Sequence, residues 1–172
     1  MRLALLALTL FLAAPLAAQE AEPPMTPASM TEIVQALDPD AQLAPGGLAF
    51  TINDVPVLLV ADVLANRMRA MVPIRAADEM TPEEIIRVMQ ANFDTALDAR
   101  YAIAQGQLWA VYIHPLRELE RDQLISGIGQ TVNIALTYGG LYTGGAQQFG
   151  GGDSGDLQAE LLEELLERGQ DI

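Results

Sequence analysis

The chain has 172 residues, 51% of them hydrophobic, with 23 acidic side chains against nine basic ones, a net charge of −14 and no cysteine. So acidic a surface repels phosphate backbones and anionic headgroups, which argues against nucleic-acid binding and electrostatic membrane docking. The lack of cysteine rules out a disulfide framework, a thiolate metal site and a lipid-attachment cysteine, so the fold must rest on a packed core, which about 150 half-apolar residues can supply as one domain.

Met1-Arg2 is a short positive start, and Leu3 to Leu12 is apolar apart from Thr9. Pro15, the small pair Ala17-Ala18 and polar Gln19-Glu20 follow. This order predicts a cleavable signal peptide over 1–18 and a periplasmic or secreted product. Leu3 to Ala18 is 16 residues with a proline inside, short of the roughly 20 a membrane span needs. No later stretch is longer and as apolar, so no stable membrane insertion is expected after cleavage. Residues 19–28 read as a polar, proline-bearing tether.

Ser29 and Glu32 have capping-box spacing, and Met30, Ile33, Val34 and Leu37 share one helical face up to Asp38-Pro39. Strands are expected over Leu48 to Ile52, Val55 to Val60 and Arg67 to Val72, separated by turn signals at Asn53-Asp54 and Asn66. Thr81-Pro82-Glu83-Glu84 opens a second helix with a capping threonine, a proline at the first position and a reciprocal glutamate. Ile85, Ile86, Met89, Phe93 and Leu97 form its apolar stripe. A hairpin is expected from Tyr101 to Ala104 and Leu108 to Ile113 around Gln105-Gly106-Gln107, then a long helix from about Arg117 to Tyr138. The expected core includes Phe93, Trp109, Ile113, Ile125 and Val132. The order α-β-β-β-α-β-β-α over 29–138 predicts an α+β fold, a mainly antiparallel sheet with helices on one face.

Glycine supplies eight of the 17 residues from Gly139 to Gly155, which predicts a flexible linker over 139–156. Beyond it, 157–169 reads as a short acidic amphipathic helix with Leu157, Leu161, Leu162, Leu165 and Leu166 on one side. It can dock on its own domain or present Leu161, Leu162, Leu165 and Leu166 to a partner's groove.

Catalytic chemistry is hard to assemble. The chain has one histidine, His114, and three serines, Ser29, Ser126 and Ser154, none in the setting of an activated nucleophile. The acidic stretch from Asp38 starts like a calcium loop but has Ala49 where the bidentate glutamate belongs, and Asp153 to Asp156 is too short for more than weak calcium binding. No cofactor and no metal are expected. Arg67, Arg69, Arg75, Arg87 and Arg100 concentrate the positive charge. They read as a solvated face neutralising nearby acids or, for Arg67 and Arg69 on one strand face, as a site for a carboxylate-bearing partner.

With RMRAMVPI, IIRVMQANFDTA, YAIAQGQLWAVYIHPL and the long helix that follows, the region from Ser29 to Tyr138 resembles the superfamily that unites type III secretion chaperones with the YbjN-type proteins. The resemblance implies a chaperone-like domain that binds protein segments, often as a homodimer, with no shared catalytic residues. The export signal, the glycine linker and the terminal helix depart from that pattern. The leading expectation is a non-catalytic protein-binding or assembly module whose partner is a protein or peptide segment. The alternatives are a periplasmic enzyme using clustered carboxylates and a structural envelope component.

Overall fold

The computed structural model describes residues 22–94, 96–139 and 155–170. The signal segment expected over 1–18 and residues 140–154 of the glycine-rich stretch lie outside them. The described elements are helix α1 (Pro27–Leu37), strands β1 (Gln42–Ala44), β2 (Gly47–Ile52), β3 (Val55–Asp62) and β4 (Arg67–Ala76), helix α2 (Pro82–Asp94), strands β5 (Arg100–Ala104) and β6 (Gln107–His114), and helices α3 (Arg121–Leu136) and α4 (Gly155–Gln170). The strands form one antiparallel sheet in the order β1-β2-β3-β4-β6-β5, giving the α+β architecture expected, with β1 as an added edge strand.

Local chemistry sets the boundaries. Thr26, not Ser29, caps α1: the Thr26 hydroxyl accepts from the Ser29 N–H at 3.1 Å, and the Ser29 hydroxyl accepts from the Thr26 N–H at 2.9 Å. The helix therefore starts earlier than the Ser29–Glu32 spacing suggested, and Met25, assigned to the tether, is buried. At α2 the predicted box is present, with Thr81 N–H donating to Glu84 at 2.7 Å and Glu84 N–H to the Thr81 hydroxyl at 3.2 Å. These bonds hold the Glu84 carboxyl below its ordinary pKa, with Arg75 contributing. The β2–β3 turn places Asn53 and Asp54 at φ of 48° and 63°, and the β5–β6 turn places Gln105 and Gly106 at 54° and 73°. Two consecutive left-handed residues match the twist of a two-residue hairpin, which is why asparagine, aspartate and glycine stand there. Asp38, considered above for calcium, accepts from the N–H groups of Asp40 and Thr51, at 3.0 and 2.8 Å, and so ties the end of α1 to β2.

The sheet sorts its side chains by parity. Leu48, Leu59, Ala70 and Tyr112 lie side by side across β2, β3, β4 and β6, all buried beneath the helices. α3 crosses this face with Leu124, Ile125, Ile128 and Val132 fully buried. It approaches so closely that a methyl group on Gly127 would overlap the Tyr112 ring, which answers why a helix interior tolerates glycine here. α3 starts at Arg121 rather than Arg117, because Leu116 and Leu119 are buried in the irregular segment before it.

The expected core needs correction. Ile125 and Val132 are buried, but Phe93 is 69% exposed, Ile113 is 53% exposed and Trp109 is half-buried. β6 is apolar on both faces, and it turns Leu108, Ala110 and Tyr112 inward instead. α2 likewise buries Val88 and Ala91 and turns Ile86, Met89 and Phe93 outward. Its Asn92 side chain donates to the Tyr101 carbonyl at 3.0 Å and accepts from the Tyr101 N–H at 2.7 Å. In that way α2 satisfies the backbone of the edge strand β5.

Candidate protein-binding surface

The odd-numbered residues of β6, and of β4 as far as Pro73, face away from the helices; a bulge between Pro73 and Arg75 sets Arg75 opposite the buried Leu108. Ala49, Leu58, Met71 and Val111 form one row across this face, ending at Arg100, and Val60, Arg69 and Ile113 form the next. Pro73 and Trp109 pair beside them. Leu58, Val60, Met71, Pro73, Trp109 and Val111 are half-buried, while Arg69 and Ile113 are exposed. The result is an apolar band on an open sheet face, wide enough to receive another chain.

The arginines singled out in the sequence have different fates. Arg67 and Arg69 both project on this face of β4, as their spacing indicates. Arg67 donates to the Asn66 carbonyl at 2.9 Å and, with Arg117, lowers the pKa of Glu118, whose main cause is a hydrogen bond from Asn66. Arg69 stands between Val60 and Ile113 with no hydrogen-bond or ion-pair partner among the described residues. Arg75 lies 3.5 Å from Glu84 and 3.6 Å from Glu79, and its pKa is raised chiefly by a hydrogen bond to Tyr138. It therefore pins β4 to the start of α2 and the end of α3. Arg100 turns back onto the carbonyls of Leu97 and Ala99.

The C-terminal helix is docked on its own domain. Leu165 is fully buried and Leu161 nearly so. Arg121 reaches the Gly169 carbonyl at 3.2 Å, and Arg168 reaches that of Leu37 at 3.4 Å. A side chain on Gly169 would collide with Ile125, so glycine permits the close approach of α4 to α3. Of the four leucines considered as partner contacts, Leu161 and Leu165 are thus covered within the chain and are closed to a partner while α4 is docked. Leu162 and Leu166 are half-buried at its margin. The sequence also missed the outer face of α2, where Ile86, Met89 and Phe93 are all more than half exposed. Their helical spacing was visible, but spacing alone does not say what covers an apolar face.

His114 ends β6 with Nδ1 2.8 Å from the Pro115 carbonyl, and Ser126 lies 3.2 Å from the Gln130 amide. Among the described residues no group of three metal-ligating side chains gathers, and no helix is long and apolar enough to cross a membrane.

A solved structure shares this fold. A chain of the crystal structure of the Yersinia pestis type III secretion chaperone SycH, in complex with a stable fragment of YscM2, is 18% identical, with a TM-score of 0.51 over 66% of this chain and 99% of its own. A chain of the ExsC–ExsE complex (12% identical, TM-score 0.46, 61% of this chain and 89% of its own) and one of the HopA1–SchA chaperone–effector complex (10%, 0.47, 64% and 95%) are more distant. No family model and no curated protein matches the chain. At 18% identity the likeness to the SycH chain is one of fold alone, the α+β architecture of a secretion chaperone.

Proposed function

We propose that this chain is an exported, non-catalytic protein-binding module, chaperone-like in architecture, that receives a segment of another protein on its open sheet face. The observation that carries the reading is Arg69, exposed and without a partner among the described residues, beside the apolar band of Met71, Val111 and Ile113. A guanidinium set among apolar side chains suits a carboxylate flanked by hydrophobic residues, because the apolar contacts hold the segment and the charge fixes its register. SycH, which shares the fold, was solved with a protein fragment bound, and the signal-peptide pattern read over 1–18 is what supports an encounter in the periplasm or beyond.

The outer stripe of α2 supports a second part of the reading, a homodimer. Ile86, Met89 and Phe93 recur at helical spacing on one face, and three large apolar side chains so placed are covered when two copies pack α2 against α2.

Affinity purification of the tagged mature protein from the extracytoplasmic fraction tests the main reading. Wild type recovers a defined partner, and Arg69→Glu loses it while melting at the same temperature. Equal recovery by the two proteins would contradict the assignment of this face.

A further inference from the structure

A second feature lies on the other side of β6. β5 begins at Arg100, opposite Val111, so β6 runs on through Tyr112, Ile113 and His114 without a strand on that edge. A cavity of about 610 Å³ opens there, bounded by these residues, the segment before β5, the first turns of α3, and Leu162 and Leu166 of α4. Two carboxylates line it, Asp98 and Asp122, against the single guanidinium of Arg100. The carboxylates taken separately have local explanations. Asp122 stands in the first turn of α3, where the helix dipole favours an acid, and Asp98 lies 3.4 Å from the Gln130 amide.

Tyr112 has no such explanation. The residue is only 6% exposed, yet its hydroxyl has no hydrogen-bond partner among the described residues. Burial, and then the charge of Asp98, raise its pKa, so the phenol stays protonated and lies within reach of the Asp98 field on the same wall. A buried hydroxyl without a protein partner is uncommon, and one that lines a cavity is satisfied by water or by a ligand group that takes the water's place. Its neighbour His114 stacks on it, ring centroids 6.0 Å apart and planes at 20°. Because the Pro115 carbonyl can only accept, the neutral His114 ring carries its proton on Nδ1 and keeps Nε2 as an acceptor.

The lining is therefore rich in acceptors (two carboxylates, a phenol oxygen and an imidazole nitrogen), with aromatic faces between them and leucines at the rim. We infer that this cavity binds an alkyl-guanidinium or alkylammonium group, a basic head whose hydrogen-bond donors meet Asp98, Asp122 and Tyr112 while its aliphatic stem lies on Leu162 and Leu166. Stacked aromatic rings add attraction for a cation. The group can belong to a small free amine or to an arginine or lysine side chain of a peptide, whose backbone can also use the unpartnered edge of β6. This site shares Arg100 and Ile113 with the margin of the open sheet face, but the acceptors that define it lie outside that face, and it does not depend on the role proposed for it.

The single histidine of the chain makes the test direct, since its imidazole signals are unambiguous in a proton NMR spectrum. The intact protein is titrated with agmatine, with the blocked dipeptide acetyl-Leu-Arg-amide, and with acetyl-Leu-Glu-amide as the acidic control. Saturable movement of the His114 resonances with the basic probes but not the acidic one is expected. Tighter binding of the dipeptide identifies a peptide side chain as the source, and equal binding identifies a free amine. Asp122→Asn and Tyr112→Phe, checked for unchanged melting, each weaken binding by about fivefold or more, the effect of one lost hydrogen bond. Absence of saturable shifts, equal shifts with the acidic dipeptide, or wild-type affinity in both variants would overturn the inference.

Discussion

At the scale of single residues, the fold turns on a few close approaches. Gly127→Ala improves helix propensity by about 1 kcal/mol, yet its methyl group enters the space of the buried Tyr112 ring. Overpacking of that kind costs about 1–3 kcal/mol, so the urea midpoint is expected to fall. A raised midpoint would mean that the ring yields. Phe93 is the opposite case. With its side chain 69% exposed, Phe93→Glu should change the stability of the folded chain by less than about 0.5 kcal/mol. If α2 is the contact between two copies, the same substitution should halve the mass seen by sedimentation equilibrium. A wild type that sediments as a monomer at all concentrations would remove the dimer from the account.

The elements differ in how plainly the sequence announced them. The caps of α2, the two hairpin turns and five of the six strands were readable because each depends on interactions a few residues apart. The short β1 was not, since Gln42 to Ala44 carries no alternation and exists through its pairing with β2. The outer face of α2 misled for a different reason. The stripe Ile86, Met89 and Phe93 is apolar in earnest, but periodicity reports a face that wants cover and is silent on whether the cover lies in the same chain. β6 is ambiguous in the same way, with Trp109, Val111 and Ile113 as apolar as Leu108, Ala110 and Tyr112. For α4 the sequence left both docking and capture open, and the buried Leu165 assigns it to the domain. Leu165→Ala should therefore cost about 2–5 kcal/mol, read by chemical denaturation, with slow amide exchange across Leu161 to Leu165 in the wild type. An unchanged midpoint with rapid exchange would show that α4 does not stay on α3.

At the scale of the whole molecule, the helices cover one face of the sheet and leave the other to solvent. The arginines of β4 were visible in the sequence as a local concentration of positive charge in an acidic chain. What the sequence could not supply was the register that sets Arg69 between Val60 and Ile113 and aligns Leu58, Met71 and Val111 into one band, because strand pairing joins residues as far apart in the chain as Met68 and His114 and a one-residue slip would reverse every face. The Tyr112 cavity was equally hidden, as its walls come from β6, α3 and α4. The central claim, that the open sheet face is where a partner segment lies, is tested most directly by site-specific photo-cross-linking in the native compartment. A photoreactive residue at Val111 should capture one recurrent protein through a contiguous segment, identified by mass spectrometry. The same residue at Glu32, exposed on α1, should not. Capture of that same segment from Glu32, with none from Val111, would contradict the account.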